Sequence, residues 1–207
     1  MNNPWEEIDL IDYENHMSLD NVYQLQALNE MMKEQFYAYN VTTLMILGIA
    51  GGNGLNHIKN GDFEVIYGVD ININYLTECK KRYSHLANGF EAICTDLLSI
   101  DLQLPNADLI VANLLIEYIG YECFQRVVKL VMPKYVSCII QINTENSFVS
   151  DSPYLHVFDR LDEVHHQLEE NALINYMREI DYKVELRQER ELPNGKKLVR
   201  MDFLKEK

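Results

Sequence analysis

The sequence lacks several features that would place the protein in a specialised class. No apolar run approaches the roughly 20 residues that cross a membrane, and residues 1–7 lack the basic start and apolar core of a secretion signal. We therefore expect a cytoplasmic protein with no membrane partner. There is also no internal repeat, low-complexity tract or linker-like change in composition, so we expect one domain over residues 1–207.

Metal-binding patterns are missing as well. Four cysteines are scattered along the chain without a C-x-x-C pair: Cys79, Cys94, Cys123 and Cys138. They are typical of small core residues in a reducing compartment. The adjacent His165 and His166 form the one histidine cluster, and neighbours on a helix point about 100° apart, which does not suit a chelating pair. We expect no metal.

The charge balance argues against a nucleic-acid partner. The formal net charge of −14 would repel a phosphate backbone. Lys80, Lys81 and Arg82 form the one basic block, on a predicted solvent-exposed helix face. We therefore expect that nucleic acid is not the substrate, and no pattern in the sequence indicates an oligomeric state.

A glycine-rich stretch organises the rest of the chain. Residues 44–47 predict a buried strand, residues 48–54 a turn with four glycines, and Leu55 and Ile58 the sheet-facing side of a helix. Such a turn lets the backbone approach a ligand closely, and a following helix presents free N–H groups and a positive dipole end. The pattern predicts a site for the polar end of a nucleotide-like cofactor. A tight turn without a ligand remains the alternative.

The spacing of the glycines does not match the dinucleotide fingerprint G-x-G-x-x-G/A. Counted from Gly52 the three positions hold Gly52, Gly54 and His57, and counted from Gly48 they hold Gly48, Ala50 and Asn53. Neither frame fits, which weakens the case for a nicotinamide cofactor.

The same loop resembles the first motif of class I S-adenosylmethionine-dependent methyltransferases, D/E-x-G-x-G-x-G. Laid on residues 48–54, the last two glycines match as Gly52 and Gly54, the first is replaced by Ala50, and Gly48 stands at the acidic position. In that family the acidic residue helps hold the cofactor's ammonium group. The resemblance implies S-adenosylmethionine as cofactor, with contacts from Gly48, Ile49, Ala50, Gly52 and Gly54.

A second apolar run, residues 64–70, ends in Asp70 about twenty residues after the glycine loop. A second parallel strand would deliver this carboxylate to a ribose, because one carboxylate accepts hydrogen bonds from two adjacent hydroxyls. We assign Asp70 and Ile71 to the cofactor site. An Asp at a strand end is also a common N-cap, and a helix over residues 73–83 follows, so a capping role stays open.

Two further strands bring side chains to the same edge of the sheet. Residues 90–94 are followed by Asp96 and Leu97; in the resembling family an acid here commonly bonds the adenine amino group, although Asp96 would also serve as a turn cap.

Residues 107–113 end in Asn113 on the ligand side of an open parallel sheet. The family's amino-group methylases of DNA and glutamine carry N/D-P-P-Y/F here. This chain has N-L-L-I, which is more similar to the small-molecule methyltransferases.

Four side chains are candidates for the acceptor side of the site. Glu117 and Tyr121 follow the fourth strand at the start of a predicted helix, where an acid also suits the helix dipole. Tyr13 and His16 precede a helix predicted to begin at residue 18 or 20; in the family, helices before the first strand cover the cofactor and wall the substrate pocket. A lone His is also common as a structural residue. We name none of the four as certainly catalytic, since an activated methyl donor needs mainly alignment.

The chain ends in a predicted hairpin. Residues 182–187 and 198–203 alternate apolar and polar side chains around Pro193-Asn194-Gly195. Class I methyltransferases finish this way, so the resemblance implies an α/β three-layer Rossmann-like fold of seven strands in the order 3-2-1-4-5-7-6. Strand 7 is antiparallel and helices cover both faces.

Within this single domain we place an N-terminal helical cap (1–40), a cofactor-binding core (41–142), a candidate substrate loop (143–162), and a last helix with the hairpin (163–207).

The resemblance implies a methyltransferase acting at O, N or S of a small molecule. Two alternatives stay open. A NAD(P)-dependent Rossmann oxidoreductase would share the loop and Asp70, and a non-catalytic S-adenosylmethionine-binding protein would explain the departures at Gly48 and Ala50. The candidate substrate loop would, in turn, be an ordinary surface excursion if it does not close over a ligand.

Overall fold

The computed structural model describes residues 3–143 and 149–206. Within them one seven-stranded sheet runs in the order β3-β2-β1-β4-β5-β7-β6. The strands are β1 Thr43–Leu47, β2 Val65–Asp70, β3 Phe90–Cys94, β4 Leu109–Asn113, β5 Tyr135–Ile142, β6 Tyr182–Glu191 and β7 Lys197–Lys205. Strands β1 to β5 pair in parallel, and β7 is antiparallel to both β5 and β6. The predicted strand order and the reversed last strand are confirmed.

Helices cover both faces of this sheet. They are α1 Leu10–Ser18, α2 Gln24–Tyr37, α3 Ile73–Arg82, α4 Ile116–Val131 and α5 Glu170–Arg178. Shorter 3₁₀ segments lie at Pro4–Glu6, Leu55–His57, Ser84–Leu86 and Leu155–Glu163. No helix in the described ranges is long and apolar enough to span a bilayer.

The core has two layers because β1 buries both of its faces, as parallel strands do. Met45 and Leu47 pack with α4 and α5, whereas Leu44 and Ile46 pack with α2 and α3. Four side chains of α4 in the first of these layers are fully buried: Phe124, Val127, Val128 and Val131. Each fully buried apolar side chain of this size contributes about 1.5–3 kcal/mol of transfer free energy.

The helix predicted after the glycine loop is wrong. Leu55 and Ile58 are buried as expected, but Leu55–His57 is a single 3₁₀ turn and Ile58 is already extended. The turn-forming run Asn60-Gly61-Asp62 follows immediately and leaves no room for a second helical turn. The dipole argument for this corner therefore does not hold.

The N-terminal cap contains two helices rather than the predicted single one. The acidic lead itself forms α1, and the chain turns at Tyr23, whose φ of 55° is left-handed, before α2 begins. Val22 is fully buried in the connection and is not part of a helix. The result folds α1 back over the edge of the sheet where the predicted site lies.

Candidate active site

A cleft lies where the carboxyl ends of β1 to β4 meet, and it encloses about 720 Å³ of space, its open mouth included. We call it the sheet-tip cleft. Seven of the ten residues predicted to bind the cofactor line it: Gly48, Ala50, Asp70, Ile71, Asp96, Leu97 and Asn113. Ile49 lines a smaller cavity beside the glycine loop together with Gly48, Ala50 and Glu14. The open edge of a parallel sheet is the usual ligand side of such folds.

Gly52 and Gly54 are absent from the lining of both cavities, and their contact with the cofactor stays a prediction. A Cβ at Gly52 would stand 2.6 Å from the Tyr83 ring, and one at Gly54 would stand 2.9 Å from Met32. Both residues also have positive φ angles, near 88°. They are needed so that α2 and α3 can pack closely against the loop.

Asp70 joins the glycine loop to the second strand. Its side chain is 9% exposed, and the carboxylate accepts hydrogen bonds from the Ala50 amide at 2.8 Å and the Asn72 amide at 2.9 Å. Burial raises the pKa of Asp70, while these amides oppose the shift. The Ala50 bond also fixes a non-glycine residue at a left-handed φ of 48°. Each oxygen retains acceptor capacity for a hydroxyl.

The alternative capping role of Asp70 falls to Asn72. The Asn72 side chain accepts from the Asn74 amide at 3.0 Å and is the N-cap of α3. Asp96, by contrast, does cap a turn, because its carboxylate accepts from the Leu98 amide at 2.8 Å. Asp96 is exposed at the rim of the sheet-tip cleft and Leu97 is buried behind it.

A buried polar network fixes Asn113. Gln35, fully buried on α2, donates to Asn113 Oδ1 at 3.0 Å and accepts from Asn113 Nδ2 at 2.8 Å. Gln35 also donates to the Ser137 hydroxyl at 2.9 Å, which donates in turn to Asp202. Arg200 closes the network with two bonds to Asp202. Because every member is hydrogen-bonded, the Asn113 amide is held in one orientation at the cleft floor.

A second cavity adjoins the first and encloses about 610 Å³, its open part included. It shares four wall residues with the sheet-tip cleft: Trp5, Tyr13, Leu114 and Tyr118. Phe158 adds another ring, and we call this space the aromatic cavity. Of the predicted acceptor-side residues, Tyr13, His16 and Glu117 line it.

Tyr121 is absent from the lining of both cavities, and its acceptor-side role stays a prediction. Its hydroxyl accepts from the Glu169 amide at 2.6 Å and donates to the Glu169 carbonyl at 3.2 Å. The ring stacks on Tyr176 with centroids 5.1 Å apart. Tyr121 therefore ties α4 to the start of α5.

Glu117 lies in an unusual environment for a carboxyl group. The residue is 6% exposed, and its Oε2 has no hydrogen-bond partner among the described residues. Burial raises the pKa of Glu117 to about 8. The helix-dipole explanation is therefore insufficient, since desolvation outweighs it. Glu117 precedes Phe124 by seven residues, which is a helical spacing in the sequence. In the structure Gly120, with φ 74° and ψ 166°, interrupts α4 between them.

Two other titratable groups of the aromatic cavity, His16 and Tyr13, are neutral near pH 7. His16 is 4% exposed and its Nδ1 lies 2.7 Å from the Ser152 hydroxyl. Burial, together with the charge of Lys196, lowers the pKa of His16 to about 4. Burial also raises the pKa of Tyr13, and Asp70 and Glu14 add to that shift.

Trp5 and Glu14 were missed by sequence reasoning. Trp5 stands edge-on to Tyr13 and Tyr118, with centroids 5.7 and 4.9 Å apart, and its buried Nε1 has no partner among the described residues. Glu14 lies over Gly51, where an added Cβ would overlap its carboxylate, and pairs with Arg82 at 2.5 and 3.0 Å. The i, i+3, i+7 spacing of Leu10, Tyr13 and Met17 was the signal for the helix that carries Glu14.

Several solved structures share this architecture. The methyltransferase domain of bacterial CtHen1 superposes with a TM-score of 0.64 at 17% identity, over 89% of this chain and 97% of the other. Geranyl diphosphate C-methyltransferase from Streptomyces coelicolor A3(2), in complex with Mg²⁺, geranyl diphosphate and S-adenosyl-L-homocysteine, gives 0.64 at 9% identity over 87% and 77%. The [4+2]-cyclase SpnF gives 0.64 at 10% over 86% and 80%.

No family model matches the sequence, and no curated protein matches it. At these low identities the structural likeness shows the fold. The chain has the fold of the class I S-adenosylmethionine-dependent methyltransferases.

Proposed function

We propose that this chain is an S-adenosylmethionine-dependent methyltransferase that binds the donor in the sheet-tip cleft and a small-molecule acceptor in the aromatic cavity. The observation that carries the proposal is the shared wall of the two cavities, formed by Trp5, Tyr13, Leu114 and Tyr118. Two ligands that meet across such a wall are held side by side, which is the main requirement of a displacement with an activated donor.

The residues of the sheet-tip cleft fit the donor's parts. The Asp70 carboxylate offers acceptors to ribose hydroxyls, and Asp96 with Leu97 offers an acceptor and an apolar surface to adenine. Gly48 has no carboxylate for the ammonium group, and we assign that role to Glu14, which lines the adjoining cavity with Gly48 and Ala50. When bound, the donor supplies a methyl group on a sulfonium, activated for transfer.

The acceptor atom is left open by this proposal. The predicted restriction to O, N or S receives no support from the comparisons, because one similar structure is described as a C-methyltransferase. Candidate acceptor-side groups of this chain are Tyr13, His16 and Glu117.

Two observations disfavour the oxidoreductase alternative. Strand β7 is antiparallel to its neighbours, whereas the dinucleotide fold keeps its sheet mostly parallel. The glycine loop is followed by a three-residue 3₁₀ turn, so the corner lacks the α-helix N-terminus on which a diphosphate rests.

Calorimetric titration tests the proposal. We expect S-adenosylhomocysteine and S-adenosylmethionine to bind the full chain, and NAD and NADP to give no heat of binding. Asp70→Asn should weaken the interaction, whereas Asp108→Asn should leave it unchanged. Asp108 is the matched control because its carboxylate also accepts two backbone amides, from Thr42 and Thr43, but outside the lining of the sheet-tip cleft.

A non-catalytic S-adenosylmethionine-binding protein is the second candidate. Gly48, where the family carries an acid, favours it, and a [4+2]-cyclase shares the fold. Tight binding of the donor without transfer of a labelled methyl group to any fraction of a metabolite extract would support this candidate over the first.

A further inference from the structure

We propose that the aromatic cavity binds an organic amine as its ammonium ion and that Glu117 takes the proton which the amine must lose. This inference rests on the proposed function, since it names the substrate class of the acceptor site. It starts from one observation. Glu117 lines the aromatic cavity, is more than nine-tenths buried, and has a carboxyl oxygen without a hydrogen-bond partner in the described part of the chain.

A buried carboxyl group without a partner is costly unless a ligand satisfies it. Among the described lining residues of the aromatic cavity there is no Lys or Arg that pairs with Glu117. The other titratable groups of the wall are Tyr13, Tyr118, His16, His165 and His166. The charge of Lys196 acts on His16 and His165, whereas burial is the main influence on the Glu117 carboxyl group.

The charge of this wall selects the ligand. An anionic acceptor would meet a carboxyl group and no compensating cation at Glu117, so its desolvation would be unmatched. An ammonium ion would instead form a charge-assisted hydrogen bond with Glu117. The rings of Trp5, Tyr13 and Tyr118 add faces that attract a cation at short range.

The proton step balances within the cavity. An N–H bond of the ammonium breaks and leaves its electron pair on nitrogen, while the Glu117 carboxylate forms an O–H bond with that proton. The products are a neutral amine and a neutral carboxylic acid, and burial lowers the free-energy cost of this proton transfer below its cost in water. The amine then presents the lone pair that a sulfonium donor requires. The donor contributes one methyl group and keeps the electron pair of its broken C–S bond.

Three probes of equal size test the charge preference. Benzylamine, benzyl alcohol and benzoate are titrated calorimetrically into the full chain, with and without S-adenosylhomocysteine. We expect benzylamine to bind at least tenfold more tightly than either of the others. We also expect about one proton to be released per benzylamine at pH 7, measured in two buffers of different ionisation enthalpy, because the ammonium displaces the proton held on Glu117.

Glu117→Gln should abolish both the tenfold preference and the proton release. Glu122→Gln is the matched control, since it makes the same change on an exposed position of the same helix and should retain both. Thermal unfolding of each variant verifies that it is folded. Equal affinity for the three probes, no measurable benzylamine binding at millimolar concentration, or an unchanged preference in Glu117→Gln would each overturn the inference.

The two proposals fail separately. If S-adenosylhomocysteine does not bind while benzylamine keeps its preference, the donor assignment is wrong and the cation site stands as a binding site. If S-adenosylhomocysteine binds and the three probes are not distinguished, the donor assignment stands and the amine inference is wrong.

Discussion

The sheet-tip cleft and the aromatic cavity each bury one carboxyl group, and the two groups differ in their hydrogen-bond partners. Asp70 accepts hydrogen bonds from two backbone amides, whereas Oε2 of Glu117 has no partner among the described residues. Both groups are less than a tenth exposed. The difference shows that similar burial yields a fixed acceptor where the backbone supplies donors, and a proton-holding acid where it does not. Four predictions test this contrast.

The largest effect is expected on the pH dependence of stability in Glu117→Gln. Burial raises the pKa of Glu117 from 4.5 to about 8. Below pH 4.5 the group is neutral in both states; between pH 4.5 and 8 only the unfolded state ionises, so the native protein loses stability. Each pH unit in that window is worth up to about 1.4 kcal/mol. Urea unfolding at pH 5 and pH 8 should therefore show the variant gaining several kcal/mol over the native protein as pH rises.

Glu122→Gln supplies the control for that experiment, because the side chain is exposed on the same helix. Its stability relative to the native protein should not change across the window. Parallel pH curves for the native protein and Glu117→Gln would show that Glu117 finds a partner in solution.

The second effect concerns Asp70. Asp70→Asn keeps the shape of the side chain but replaces one acceptor oxygen with a donor and removes the charge. We expect S-adenosylhomocysteine affinity to fall by about 1.5–3 kcal/mol, the range for hydrogen bonds to a charged group. Calorimetric titration measures it, with Asp108→Asn as the structural control. Equal losses in the two variants would mean that the change acts through the sheet and not through the cleft.

A smaller effect is expected at Glu14. Its carboxylate is partly exposed, so we expect Glu14→Gln to weaken S-adenosylhomocysteine binding by about 1 kcal/mol. Arg82→Gln breaks the ion pair with Glu14 but leaves the carboxylate in place, and it should bind with nearly native affinity. If Arg82→Gln is the weaker binder, Glu14 serves the packing of α1 against α3 and the ammonium group is held elsewhere.

The smallest effect lies outside both cavities. Tyr121→Phe removes a hydroxyl that bonds the Glu169 backbone, at a cost of about 1 kcal/mol in the free energy of unfolding. Affinity for either class of ligand should not change. Tyr176→Phe keeps the ring that stacks on Tyr121 and is the comparison. A Tyr121→Phe variant with native stability but weaker acceptor binding would show that the Tyr121 hydroxyl takes part in acceptor binding.

Strands and helices with a clear pattern of apolar residues were predictable from the sequence. The residues at the carboxyl ends of the parallel strands were predictable as well. Strands β1, β4 and β5 bury both faces. The apolar runs at β1 to β5 place Asp70, Asp96 and Asn113 on one edge of the sheet. The reversed last strand followed from the alternation around Pro193-Asn194-Gly195.

Features that depend on long-range packing were not predictable. Leu55 and Ile58 have the spacing of a helix, yet the turn-forming residues that follow them allow only one 3₁₀ turn. The positions of Gly52 and Gly54 depend on how closely α2 and α3 approach, which no local pattern contains. Glu117 carried two compatible explanations in sequence, and only its surroundings in the fold decide between a dipole-stabilised carboxylate and a buried acid.

The candidate substrate loop at residues 143–162 stays a prediction. Its residues 144–148 lie outside the described residues. Beyond them Leu155–Glu163 is a 3₁₀ segment whose Phe158 and Leu161 are buried against the aromatic cavity. The connection thus supplies wall to that cavity, and a role in closing it stays a prediction.

Trp5 is the chain's single tryptophan, and its indole lines both cavities. Emission from one ring therefore reports on two binding events without any label. A nucleoside ligand in the sheet-tip cleft and an amine in the aromatic cavity would each change the polarity and quenching around the same fluorophore. The binding of both ligands can therefore be followed in a single sample.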